Sequence, residues 1–396
     1  MSLKFNGKQL EKAIIMSGKS KKDVGSLLDI SANTLSKYIQ GTTTPSQKVF
    51  SKFTDFFGLN MEWFYLQDLP CLDEESFAFR AKASTSRSEK IKNETIKEIL
   101  KRGTQYLLQF LKKSPDLNLV YSADLELLRK QNKINDIRFE IERLSLDLRE
   151  LWGLGHHPIP DLVNYAEANG IWCTRINANE NDKVDAFSFW ATTKREEGNI
   201  VQKDPVILLT NAKSAVRSRF DLAHEIGHLV LHKMIDWRLY VADSQYRKQI
   251  EQEADYFASC FLLPKDSFCQ SAKNGLSLSK LQSLKSIWKV SMAAMIKRAK
   301  DLDLIENEDY LFMRMSQLGM RKSEPFDSGD NAIPHEQVQL YKLVSEHLSK
   351  AGHLTLSSIQ ETLGLDVDLY CHYFSVPHTI LVPHSALHNN VVSLFN

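Results

Sequence analysis

The chain has 396 residues, 43% apolar and 25% charged, which is more than one hydrophobic core usually serves and predicts two or three globular domains. With 50 basic residues against 49 acidic ones, no overall field steers the molecule toward nucleic acid or membrane, so any such field must be local. Five widely spaced cysteines without a CxxC pair exclude a ribbon zinc site and fit a reducing compartment. The absence of a signal-peptide core and of any run of about 18 apolar residues predicts a cytoplasmic chain with no membrane partner.

Residues 1–70 read as an all-α module of five short helices separated by glycine or polar stops, with Ser20 and Ser31 as N-caps and Pro45 opening the fourth helix. The connection "DIS", Asp29 to Ser31, has the length of the turn in a helix-turn-helix unit. Residues 71–155 form a connector and helical region. Its first part, "CLDEESFAFRAKASTSRS", is acidic, then basic and serine-rich, with Phe77 and Phe79 expected to dock; two charge-rich helical stretches follow.

From residue 156 to 325 the pattern changes. The runs "IWCTRIN", "DAFSFWA" and "DPVILLT" read as short strands of a small sheet. They precede "RFDLAHEIGHLVLH" and a helix "YRKQIEQEADYFASCFLLP" that Pro264 stops. Residues 326–396 form a mostly helical C-terminal region, so the expected fold class is mainly α with a small β-sheet, α+β.

On a helix, His224 and His228 lie one turn apart on one face, so both imidazoles can reach one ion. Glu225 stands one step round, where its carboxylate can take a proton from a metal-activated water and pass it to a leaving amine. The flanking Leu222, Ala223, Ile226, Leu229 and Val230 predict burial, and buried histidines need partners. Gly227, unfavourable inside a helix, implies close packing against the backbone there. A third ligand is sought in "EQEAD". Glu253 leads, because an apolar face follows it; Glu251 and Asp255 read as solvated charges, or, being four apart, as a ligand and its supporting partner. His232, one turn beyond His228, is expected in capping or packing, or beside the metal.

With "DAFSFW", "PVILLTN", "RFDLAHEIGHLVLH" and "EQEADYFASCFLLP" in that order, residues 160–325 resemble the ImmA/IrrE family of zinc metallo-endopeptidases. The resemblance implies a zincin-like domain binding Zn2+ through His224, His228 and Glu253, with Glu225 as the base. Related gluzincins often place an Asp four residues after the third ligand, where counting from Glu253 gives Phe257. Residues 1–70 resemble the Xre/Cro helix-turn-helix family, which implies that the helix near Ser31 to Gln40 enters the major groove of double-stranded DNA, with Ser31, Asn33, Thr34 and Lys37 facing bases or phosphates. Up to Leu66, nine lysines against five acidic residues give this module a local +4, the sign phosphate contacts require.

Together these readings imply a DNA-binding transcriptional regulator that carries a zinc metallo-endopeptidase and cleaves a partner protein such as a repressor, with a homodimer as a further expected assembly. The rival is a non-proteolytic regulator or antitoxin-like protein that uses the peptidase-like fold as a sensor or platform. Retention of Glu225 favours catalysis, because a scaffold has no need of the base.

Overall fold

A computed structural model describes residues 4–67, 86–111, 115–177, 186–195, 200–233, 235, 237–273 and 275–381. The expected boundary near residue 75 and the docking of Phe77 and Phe79 lie outside the described residues, as does the chain after residue 381.

The N-terminal module contains α1 (Gly7–Met16), α2 (Lys21–Leu28), α3 (Ala32–Ile39) and α4 (Gln47–Phe57). The expected fifth helix is a single 3-10 turn, Met61–Tyr65, whose Trp63 Nε1 donates to the Gln9 carbonyl at 3.1 Å. Ser20 and Asp23 form a capping box at the start of α2, Asp29 ends it in the left-handed region at φ 55°, and Ser31 caps α3. Gly25 permits this tight turn, since a Cβ there would stand 2.5 Å from the Ile30 carbonyl oxygen. Leu10, Val24, Leu35, Phe53 and Phe64 are sealed inside the module.

In the connector, α5 (Arg87–Leu108) is followed by α6 (Leu125–Lys130) and α7 (Ile134–Leu151). The second helical stretch expected from sequence is thus broken in two, at Asn132, which takes the left-handed backbone (φ 52°) that asparagine tolerates better than most residues.

After α8 (Leu162–Ala168) come β1 (Trp172–Ile176), β2 (Phe187–Arg195) and β3 (Ile200–Thr210), arranged β1-β3-β2. β1 lies parallel to β3, with Trp172 opposite Val206, and β2 antiparallel, with Ser188 opposite Ile207. Alternation along the strands gives the sheet two faces. Trp172, Phe189, Val206 and Leu208 join the core shared with α5 and the N-terminal module; Cys173, Ile207 and Leu209 join the core around α9 (Ala215–Leu231).

The remaining helices are α10 (Trp237–Ala242), α11 (Ser244–Leu262), α12 (Lys265–Ser271), α13 (Leu278–Trp288), α14 (Met292–Asp301), α15 (Glu308–Gln317), α16 (Leu340–Lys350), α17 (Leu356–Leu363) and α18 (Val367–Phe374). The molecule is therefore mainly helical with one small sheet, as expected. α16 and α18 return to the sheet face opposite α9: the Trp172 and Tyr341 rings sit 4.9 Å apart and the Thr174 hydroxyl donates to the Tyr373 carbonyl at 2.5 Å. Leu59 bridges Leu365, and Asn60 N donates to the Gly364 carbonyl at 2.9 Å, which ties the N-terminal module to the C-terminal helices.

Candidate metal centre

α9 is buried nearly all round because one side lies on the sheet and another against α11. Gly227 makes the second contact possible. A Cβ there would stand 3.0 Å from Phe257 Cδ1 and 3.3 Å from the Ala254 carbonyl oxygen, which explains a glycine in mid-helix. His224 and His228 are both about 1% exposed, and their Nε2 atoms face each other at 3.0 Å.

Among the described residues, His224, His228 and Glu251 bring three ligand atoms within 4.8 Å of one another. A Glu251 carboxylate oxygen lies 3.5 Å from His224 Nε2, and the other lies 3.6 Å from His228 Nε2. Ligands about 2.0–2.1 Å from a tetrahedral zinc stand roughly 3.3 Å apart, so these residues fit the ion. Both rings are also oriented for it. Asp255 Oδ1 is 2.7 Å from His224 Nδ1, and a carboxylate accepts, so the Nδ1 proton leaves Nε2 as the bare donor atom.

Glu253 takes a different position from the one expected. Residues i and i+2 on a helix point about 200° apart, so Glu251 and Glu253 leave opposite flanks of α11 and cannot share one small ion. Glu253 instead accepts from Arg129 at 2.7 Å and from His232 at 3.3 Å, and is 5% exposed. Burial alone would raise its pKa; the hydrogen bond with His232 and the Arg129 guanidinium outweigh that and hold the carboxyl well below its usual range. Burial likewise pushes His232 down to about 4, so its ring is neutral at physiological pH. Counted from Glu251, the Asp four residues on is Asp255, and the mismatch at Phe257 disappears; Phe257 is packing against Gly227.

Glu225 is wholly buried and one of its oxygens accepts from the Ser188 hydroxyl of β2 at 2.7 Å. Ser188 and Arg129 had no sequence signal: their roles depend on strand order and on a contact spanning 124 residues. Asp255 had one, its spacing of four from Glu251. At the start of α9, Asp221 pairs with Lys213 at 2.9 Å, and Arg219 with Glu336. Glu336 also accepts from Leu162 N and Val163 N, which pins it to the start of α8.

In the N-terminal module the outer face of α3 is open. Asn33 and Lys37 are exposed, and Lys19, Lys21 and Lys22 at the start of α2 are exposed too. Ser31 uses its hydroxyl to accept from Thr34 N at 3.0 Å, and the Ser31 and Thr34 hydroxyls stand 2.8 Å apart, so this pair shapes the helix start.

Residues 166–300 match the family model of the IrrE N-terminal-like domain, a peptidase family, and residues 10–64 match the helix-turn-helix model. The chain thus joins a helix-turn-helix domain to an IrrE-family peptidase domain. No curated protein matches it. Residues 71–155, including Arg129, and those after 300 lie outside both matches. Among the described residues no helix is long and apolar enough to cross a membrane.

Proposed function

We propose that this protein is a cytoplasmic DNA-binding regulator whose central domain is a zinc-dependent endopeptidase acting on a partner regulatory protein such as a repressor. The observation that carries the reading is the pair of Nε2 atoms turned toward each other 3.0 Å apart beside Glu251. When the Nδ1 atoms hold the protons, two bare nitrogens beside a carboxylate repel one another unless a cation lies between them. His224, His228 and Glu251 would hold the zinc, and Glu253, engaged with Arg129 and His232, would stand outside its ligand set.

A bound zinc supplies Lewis acidity, lowering the pKa of a water and polarising a peptide carbonyl. Glu225 would be the proton carrier of peptide hydrolysis there, taking a proton from the attacking water and giving it to the leaving amine. The Ser188 hydroxyl fixes one Glu225 oxygen, so the carboxylate is held in one rotamer for the transfer. Asp255 holds the His224 ring in the tautomer whose Nε2 binds metal. The helix-turn-helix domain brings this chemistry to DNA-bound regulators, with the exposed Asn33 and Lys37 on the DNA side.

The experiment is incubation of the purified, zinc-loaded protein with repressors encoded beside its gene, in parallel with Glu225→Gln. Cleavage by the wild type and none by a variant that still binds zinc and DNA supports the reading. Zinc and DNA binding with no cleavage of any such repressor, and a regulatory response unchanged in Glu225→Gln, favours the non-proteolytic platform.

A further inference from the structure

His228 differs from His224 in what supports its second nitrogen. Its Nδ1 lies 2.8 Å from Nδ1 of His232, whose Nε2 lies 3.3 Å from Glu253. Glu253 receives Nε and Nη2 of Arg129 at 3.0 and 2.7 Å. Arg129 Nη2 also donates to the Leu231 carbonyl at 3.1 Å, in the last turn of α9, and its Nη1 bonds Glu126. The side chains of Arg129, Glu253 and His232 are at most 6% exposed, so water does not compete for these bonds.

We propose that Arg129, Glu253 and His232 are positioning residues for the metal centre, a buried chain of hydrogen bonds that meets His228 at Nδ1 and holds its Nε2 toward His224 and Glu251. Arg129 can only donate, and Glu253, ionised against it, can only accept. His232 Nε2, which faces that acceptor, therefore donates to Glu253, and its Nδ1 is the atom that meets His228. Where His228 ligates through Nε2, its proton stands on Nδ1 and is donated to Nδ1 of His232. Arg129 also couples the last turn of α9 to the Glu253 flank of α11, the two helices that carry the ligands.

Arg129 belongs to α6, outside the residues that match the peptidase family. The connector is thus a working part of the centre, and a movement of α6 would loosen His228 without touching the ligands. This inference rests on the proposed zinc site.

The test uses the full chain and reads zinc affinity by chelator competition together with the visible spectrum of the cobalt-substituted protein. His232→Phe, which removes the acceptor for His228 Nδ1, is expected to weaken zinc binding 10–100-fold and to shift the cobalt bands. His232→Gln, whose Oε1 can accept the same proton, is expected to recover most of that loss. Arg129→Met is expected to weaken zinc binding by a smaller factor that does not add to the His232→Phe loss. Tautomers are read in the unaltered protein, whatever the variants' folding, by nitrogen-15 resonances of its histidines: His232 protonated on Nε2 and His228 on Nδ1. Wild-type zinc affinity and cobalt spectrum in folded His232→Phe and Arg129→Met, or the opposite tautomers, overturns this inference and leaves the zinc site standing. A wild-type chain that takes up neither zinc nor cobalt overturns both.

Discussion

Asp255 Oδ1 stands 2.7 Å from Nδ1 of His224, and Asp255 is four residues beyond Glu251 on the same helix. One flank of α11 therefore supplies both a ligand candidate and the group that orients the first histidine. Asp255→Ala removes the acceptor while leaving the three proposed ligands, and zinc affinity measured by chelator competition is expected to fall by about 10–100-fold. Because the Asp255 side chain is 57% exposed, its loss leaves thermal stability of the zinc-free protein nearly unchanged.

Gly227 sets the distance between α9 and α11. Gly227→Ala gains about 1 kcal/mol of helix propensity but forces Phe257 and the Ala254 backbone away from a contact of 3.0–3.3 Å. Overpacking of this kind costs about 1–3 kcal/mol, so a net loss of roughly 1 kcal/mol is expected in urea unfolding, together with weaker zinc binding as Glu251 moves from the histidines. An unchanged or raised midpoint would show that the helices yield freely.

The DNA half is tested separately. Lys37→Ala on the exposed face of α3 is expected to weaken binding by a similar factor on every sequence and to reduce the salt-dependence slope by about 0.9, one phosphate contact. Asn33→Ala should instead change which sequences are preferred. Mobility shifts at several salt concentrations distinguish the two, and they leave zinc content unaffected.

Glu167 gives a pH signature. Its carboxyl is 7% exposed; burial pushes it up to about 7, against the backbone N–H groups of Gln339 and Leu340, which pull it down. Against the ordinary value of 4.5, the folded state holds the proton more tightly than the unfolded chain. Its contribution is thus fully present below pH 4.5 and is lost as pH rises through 7, a change on the order of 3 kcal/mol. Glu167→Gln keeps an acceptor for Gln339 N and cannot ionise. Its urea midpoint should fall less between pH 5 and pH 8 than that of the wild type; parallel curves would contradict this.

The parts of the account legible in sequence are those that depend on local spacing. The HExxH pattern placed His224, Glu225 and His228, the mid-helix glycine announced a close neighbour, and "DIS" announced the turn between α2 and α3. Harder to read was which acidic residue joins the two histidines. The apolar residues after Glu253 do form the buried face of α11, but glutamates stand on both flanks of that face, and only tertiary packing says which flank meets His224 and His228 and which meets His232. The spacing Glu251–Asp255 held the discriminating signal. Arg129 could not be found this way, since nothing local to α6 marks a residue that crosses to Glu253. Strand order was likewise hidden, and with it the placement of Ser188 against Glu225.

The most direct measurement is anomalous scattering at the zinc edge from crystals of the zinc-loaded protein. One peak is expected per chain, about 2 Å from His224 Nε2, His228 Nε2 and a Glu251 oxygen, with Glu253 still paired to Arg129. A peak ligated by Glu253, or no peak between the two histidines, would contradict the assignment.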